Sequence, residues 1–413
     1  METRIVERLR DTPAGIEAER ILRACVHCGF CTATCPTYQL LGDEKDSPRG
    51  RIYLMKQVLE GATPSVATMT HLDRCLTCRN CESTCPSGVQ YSRLLDIGRD
   101  LVEKQVERPL AQRASRRLLA GLIDNRPLFG GLMKLAQHVR PWLPAAVQAK
   151  VPRIGQAGAW PSRTHGQRVL MLNSCVQGVM LPGIDRATAR VLDRLGVQTI
   201  IDPASGCCGS LRFHLNQQDR ALAQVRRNID VWWPYLEAGV DTLLMNASGC
   251  GVMVKDYGHL LRDDPVYAER AARISAITVD VIEWLGKRLA DVRPAKPLPP
   301  QPVVFHPPCT LQHGQKIRGE VEQLLRTWGA ELQPLAESHL CCGSAGAYSL
   351  LQPDISQRLR SRKLGHLQRG RPEVILSANA GCIAHLAGGT DTPVMHWIEW
   401  IEPRLAAAGV QAV

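Results

Sequence analysis

Two cysteine runs constrain this chain more than any other feature: CVHCGFCTATCP from Cys25 to Pro36, and CLTCRNCESTCP from Cys75 to Pro86. In each, the first three cysteines are separated by two residues, a fourth follows after three more, and a proline closes the run. A C-x2-C-x2-C stretch turns around a cubane iron–sulfur cluster and presents three thiolates, and in the bacterial spacing the fourth cysteine ligates the other cluster. The duplication predicts two [4Fe–4S] clusters that brace each other. One would sit on Cys25, Cys28, Cys31 and Cys85, the other on Cys75, Cys78, Cys81 and Cys35. The competing reading is a pair of zinc knots, but four-coordinate zinc has no need of a third cysteine two residues on. Between the runs, DSPRGRIYLMKQVLEG carries Ile52, Leu54, Met55, Val58 and Leu59 at helical spacing, the pattern of a packed helix that holds the cluster loops.

The remaining composition narrows the class. With 413 residues and 45% apolar residues, the chain is long enough for two or three folding units with real cores. Sixteen cysteines in a chain whose first residues are charged and show no export pattern read as metal ligands or redox groups rather than disulfides. No apolar stretch approaches bilayer length, so the expected location is cytoplasmic, with docking on the inner membrane left open. A net charge of +11 suits an acidic partner or an anionic surface. Without a basic stripe interleaved with aromatics, no nucleic-acid partner is expected.

Proline-rich stretches at 141–168 and 293–302 punctuate the chain and set apart two related segments. In the first, Cys175 is followed thirty-two positions on by Cys207 and Cys208 with Gly209; in the second, Cys309 is followed thirty-two positions on by Cys341 and Cys342 with Gly343. Cys250 and Cys382 close the two sets, forty-two and forty positions after the paired cysteines. Each copy alternates short apolar runs with helical patterns, which predicts a small parallel sheet covered by helices, its cysteines gathered at the carboxyl ends of the strands. The eight thiols read either as a further cofactor-binding metal centre or as buried small hydrophobes. The expected fold class is therefore α/β: an N-terminal helical two-[4Fe–4S] ferredoxin-type domain at 1–105, a helical extension and linker at 106–165, and repeat domains at 166–290 and 301–413.

The repeat resembles the cysteine-rich CCG domain family of heterodisulfide reductase subunits and of iron–sulfur subunits in flavin-linked dehydrogenases. That family ends its motif in C-x-x-C, whereas this sequence has Met253 three residues after Cys250 and His385 three residues after Cys382. His385 retains a ring nitrogen able to ligate a metal; Met253 is a weaker donor. Over nearly the whole chain, ILRACVHCGFCTATCPTYQLLGDEKDSPRGRIYLMKQVLEG, HLDRCLTCRNCESTCPSGVQYSRLLDIGRD, NASGCG and SHLCCGSAGAYS resemble the glycolate oxidase (glycolate dehydrogenase) iron–sulfur subunit family. The resemblance implies an electron-transfer subunit whose FAD-binding partner subunits oxidise glycolate to glyoxylate, with quinone or another membrane acceptor downstream. The absence of a G-x-G-x-x-G string fits a flavin bound elsewhere. No catalytic residue is assigned; His214, His306 and His313 are undistinguished by their sequence context. The alternatives are an iron–sulfur subunit of a lactate or glycerol-3-phosphate dehydrogenase, and a heterodisulfide-reductase-like catalytic subunit.

Overall fold

The short apolar runs of the repeat become two four-stranded sheets. In the first, β1 (Gln167–Met171), β2 (Val197–Ile200), β3 (Leu243–Met245) and β4 (Thr278–Asp280) take the order β2-β1-β3-β4. In the second, β5 (Gln301–His306), β6 (Ala330–Leu332), β7 (Val374–Ser377) and β8 (Val394–His396) take the order β6-β5-β7-β8. Every pairing is parallel; Val169 faces Thr199 across β1 and β2, and Val303 faces Val374 across β5 and β7. The central strands β3 and β7 are buried along their whole length, as expected where helices cover both faces of a parallel sheet. The structure is a computed structural model that describes residues 1–155, 157–290, 292, 294 and 298–409. Part of the proline-rich stretch at 293–302 lies outside the described residues.

The chain forms two compact units. The first comprises Met1–Leu118 together with His339–Leu359; the second comprises Leu119–Ser338 and Arg360–Val413. In the first, the helices Pro13–Ala24, Pro48–Leu59, Val66–Asp73 and Tyr91–Gln105 close over a core that includes Ile21, Leu22, Met55, Leu59, Leu72 and Leu94. Thr12 and Ser47 cap the first two helices, accepting from the amides of Gly15 and Gly50, and a proline opens each. The helix Pro48–Leu59 buries Ile52, Met55, Val58 and Leu59, as the spacing predicts, and leaves Leu54 half-buried.

In the second unit both sheets share one core. Val169, Leu244 and Leu285 from the first repeat pack in the same cluster as Val303, Leu376 and the buried indoles of Trp328 and Trp397. The repeats also meet at matching motifs: Ser248 N donates to Ala378 O at 3.1 Å, and Gly249 N donates to Asn379 Oδ1 at 3.2 Å. The duplication thus makes two sheets and one interior, with NASGC and NAGC back to back.

Candidate iron–sulfur centres and the thiol sites of the repeat

The two cysteine runs adopt the same unusual backbone. His27 and Thr77 occupy equivalent places and have φ of 61° and 52°; Gly29 and Arg79, two residues further on, have φ of 87° and 59°. These left-handed residues fold the chain back on itself and turn amides toward sulfur, as in the 3.4 Å contact from Thr77 N to Cys75 Sγ. Left-handed backbone at Arg79 costs about 1–3 kcal/mol and persists only where the surroundings hold it in place. Its Nε donates to Ser92 Oγ at 2.9 Å.

The eight cysteines line two cavities. Cys25, Cys28, Cys31 and Cys85 line one of about 440 Å³, which Cys81 also touches. Cys35, Cys75, Cys78 and Cys81 line the other, of about 310 Å³. Pro36 opens the short helix Pro36–Leu41 and Pro86 lines the larger cavity. Burial pushes the Cys31 thiol up to about 11, with the neighbouring Cys25 adding to the effect, and burial likewise raises Cys25 and Cys81. Such thiols ionise only beside a strong positive charge, which ferric and ferrous ions supply. With Cys81 counted in the smaller cavity, four sulfur donors remain for each, which fits a cubane cluster in number and in softness.

The smaller cavity has a polar wall that the sequence reading missed. Arg51 is 1% exposed and lines it. Its Nε donates to His71 O at 2.7 Å and its Nη1 to Thr37 Oγ1 at 3.1 Å, while Nη2 is 3.3 Å from Asp46 Oδ1. Asp46, fully buried, also receives Arg74 Nη1 at 2.9 Å and His71 Nδ1 at 3.0 Å. Thr37 Oγ1 stands 3.3 Å from Cys35 Sγ, and Tyr91 Oη donates to Cys75 Sγ at 3.6 Å. The signal was present: Arg51 sits four and seven positions before Met55 and Val58, on the apolar stripe where a charge needs a reason.

The first repeat collects its four thiols at one sheet edge. Cys175 follows β1, Cys207 and Cys208 follow β2, and Cys250 opens the helix Ser248–Lys255 after β3. Cys175 contacts Cys207, which contacts Cys208, which contacts Cys250. Hydrogen bonds from Cys175 and Cys208, reinforced by the amides of Gly209 and Leu211, pull the Cys207 thiol well down, while its partners Cys175 and Cys208 move up. Gly209, at φ 93°, makes the sharp turn that aims adjacent cysteines at one place. Two buried side chains hold that turn: Asn228 Nδ2 donates to Cys207 O at 2.9 Å, and Tyr257 Oη donates to Cys208 O at 2.9 Å. Met253 packs in the same core as these cysteines.

The second repeat is divided differently. Cys309 follows β5 and Cys382 lies in the helix Ala380–Ala387 after β7, both in the second unit. Cys341 and Cys342 are buried in the segment His339–Leu359, which folds with the first unit. There Asn80 Nδ2 donates to His339 O at 3.2 Å, Tyr348 Oη donates to Arg74 O at 2.9 Å, and Gly343, at φ 90°, repeats the turn made by Gly209. His306 and Cys382 have ligand atoms within 4.8 Å of each other. Both ring nitrogens of His306 are buried with no hydrogen-bond partner among the described residues, and burial pulls its pKa well down. His385 and His313 are buried, while His214 is exposed.

Comparison with known proteins agrees with this architecture. Residues 21–89 match the 4Fe-4S dicluster domain family, and residues 169–255 and 303–387 each match the cysteine-rich domain family. The chain is 51% identical over 409 residues to the glycolate oxidase iron-sulfur subunit of Escherichia coli (strain K12), covering 98% of this chain and 99% of that one. It is 30% identical to the probable glycolate oxidase iron-sulfur subunit of Bacillus subtilis (strain 168), covering 89% and 88% of the two chains. Lactate utilization protein A of Geobacillus thermodenitrificans (strain NG80-2) is more distant, 27% identical over 57% of this chain and 99% of its own. An N-terminal dicluster domain joined to two cysteine-rich domains, with near full-length identity of this order, places the chain in the glycolate oxidase iron-sulfur subunit family, with a redox role.

Proposed function

We propose that the chain is the electron-transfer subunit of a flavin-dependent complex that oxidises glycolate to glyoxylate, with FAD on separate partner subunits and quinone or another membrane acceptor receiving the electrons. The observation that carries this reading is that the eight N-terminal cysteines line two adjoining cavities, Cys81 touching both, inside a family whose members bear the glycolate oxidase name. A pair of [4Fe–4S] clusters supplies one-electron storage and transfer. Cys25, Cys28, Cys31 and Cys85 would hold one; Cys75, Cys78, Cys81 and Cys35 the other. No helix among the described residues is long and apolar enough to cross a membrane, so delivery to a membrane acceptor would use surface docking.

The first repeat fits a further metal centre. Cys175, Cys207, Cys208 and Cys250 form a chain of contacts in that order at one sheet edge, which gathers four sulfur donors in one place. In the second repeat, His306 and Cys382 are the donors that the second unit brings together.

The test uses the chain purified anaerobically with and without its co-purifying flavoproteins. Addition of glycolate should bleach the iron–sulfur absorbance only in the flavin-containing complex. Reduction by lactate or glycerol 3-phosphate but not by glycolate would contradict the substrate assignment, and glycolate-driven reduction of the flavin-free chain would contradict the division of labour.

A further inference from the structure

The two cysteine cavities differ in the charge built into their walls. At the Cys35–Cys75–Cys78–Cys81 cavity, the guanidinium of Arg51 is fully enclosed and permanently protonated. Its carboxylate partner, Asp46, is shared with Arg74. Two guanidinium charges against one carboxylate leave a net charge of +1, before any contribution from His71. Arg51 also donates to Thr37, whose own hydroxyl donates to Asp46 O at 2.8 Å, and the Tyr91 hydroxyl donates to Cys75 Sγ.

The Cys25–Cys28–Cys31–Cys85 cavity has a different wall. The charged side chain lining it, Arg49, is 35% exposed and is paired one-to-one with Glu44 at 2.7 Å. The Met1 ammonium, partly in solvent, donates to Cys25 O at 2.8 Å. Cys28 and its neighbours Val26 and Phe30 are exposed. Water screens charge here; protein surrounds it at the other cavity.

We propose that Arg51 makes the Cys35–Cys75–Cys78–Cys81 centre the more easily reduced of the two, so that an electron entering this unit comes to rest there. The proposal rests on the reading that each set of four cysteines holds a cluster. Reduction adds one negative charge to a thiolate-ligated centre, and an enclosed, incompletely neutralised guanidinium beside it favours that charge, as do hydrogen bonds to the ligating sulfurs. Arg51 is a positioning and tuning residue: it acts through the field it sets at the wall of this cavity.

The experiment is an EPR-monitored redox titration of the full-length chain, with iron and acid-labile sulfide measured on each sample, for the wild type, Arg51→Gln, Arg51→Lys and Asp46→Asn. The wild type should show two separated midpoints. Arg51→Gln should lower the higher midpoint and leave the lower one in place; Arg51→Lys should restore most of the shift; Asp46→Asn, which removes the opposing charge, should move the same midpoint upward. A merely structural role for Arg51 would not give opposite shifts. Should Arg51→Gln fail to fold, Arg51→Lys and Asp46→Asn decide the matter between them. Full iron content with both midpoints unmoved in Arg51→Gln or Asp46→Asn would overturn the proposal while leaving the cluster reading intact. A wild-type chain holding about four irons instead of about eight would remove the cluster reading itself.

Discussion

At the scale of single residues, the proposed cross-ligation makes a sharp statement about Cys85 and Cys35. Each stands at the end of one run, yet each lines the cavity formed mainly by the other run. Cys85→Ser should therefore damage the centre on Cys25, Cys28 and Cys31, sixty positions away in the chain at Cys25, and spare the one beside its own run. EPR of the reduced variant, with iron content near half that of the wild type, would show this; loss confined to the Cys75–Cys78–Cys81 signal would contradict it. The grouping of the eight cysteines around two cavities was legible because sulfur spacing is a local, one-dimensional constraint. Asp46, Thr37 and Tyr91 were not, and Arg51 showed only as a charge on an apolar stripe, because their proximity to sulfur comes from packing of the helix Pro48–Leu59 against other elements. Asn228 and Tyr257 escaped for the same reason: they reach the paired-cysteine turn of Cys207 and Cys208 only after the helix Gln218–Glu237 and the residues beyond β3 have folded.

At the scale of elements, the sheet edges carry the thiols and the strand ends carry the constraints. Asp280 ends β4 and caps the helix Val281–Arg288, accepting from Ile282 N at 3.2 Å and from Gln315 Nε2 at 3.0 Å. Burial pushes its carboxyl from 3.8 up to about 6, against the lowering effect of those hydrogen bonds and of Lys255, with Glu283 adding to the rise. Because the folded state holds the proton more tightly than the unfolded chain, this stability is fully present below about pH 4 and is lost as pH rises through about 6, a matter of a few kcal/mol at most. Asp280→Asn keeps a good cap. Hydrogen exchange across 281–288 should show that it removes the decline in protection between pH 5 and 7; an unchanged slope would exclude Asp280 as its source. Six strands of the repeat were visible as short apolar runs, the weakest of them at the edge strand Ala330–Leu332. The fourth strands, β4 and β8, were missed because three residues, TVD and VMH, make no readable alternation; their place is set by β3 and β7 beside them.

At the scale of the whole molecule, the chain joins two duplications. The cysteine runs repeat within one unit to make a braced pair of sulfur-lined cavities, and the sheets repeat within the other to share one apolar core. The paired cysteines Cys341 and Cys342 are the exception to that bookkeeping, since their segment folds with the N-terminal unit while Cys309 and Cys382 stay with the sheets. Nothing in the spacing announced this, because identical intervals in the two copies carry no information about which unit a loop joins. Membership of the glycolate oxidase iron-sulfur subunit family and a redox role follow from the domain content and the identity. The measurement that tests the account most directly is iron, acid-labile sulfide and zinc per chain on anaerobically purified protein, with EPR after stepwise reduction. The account predicts about eight irons in two separately reducible [4Fe–4S] signals, with any metal beyond them assigned to the thiols of the repeat. Zinc in place of iron, or a single cluster signal with about four irons, would contradict it.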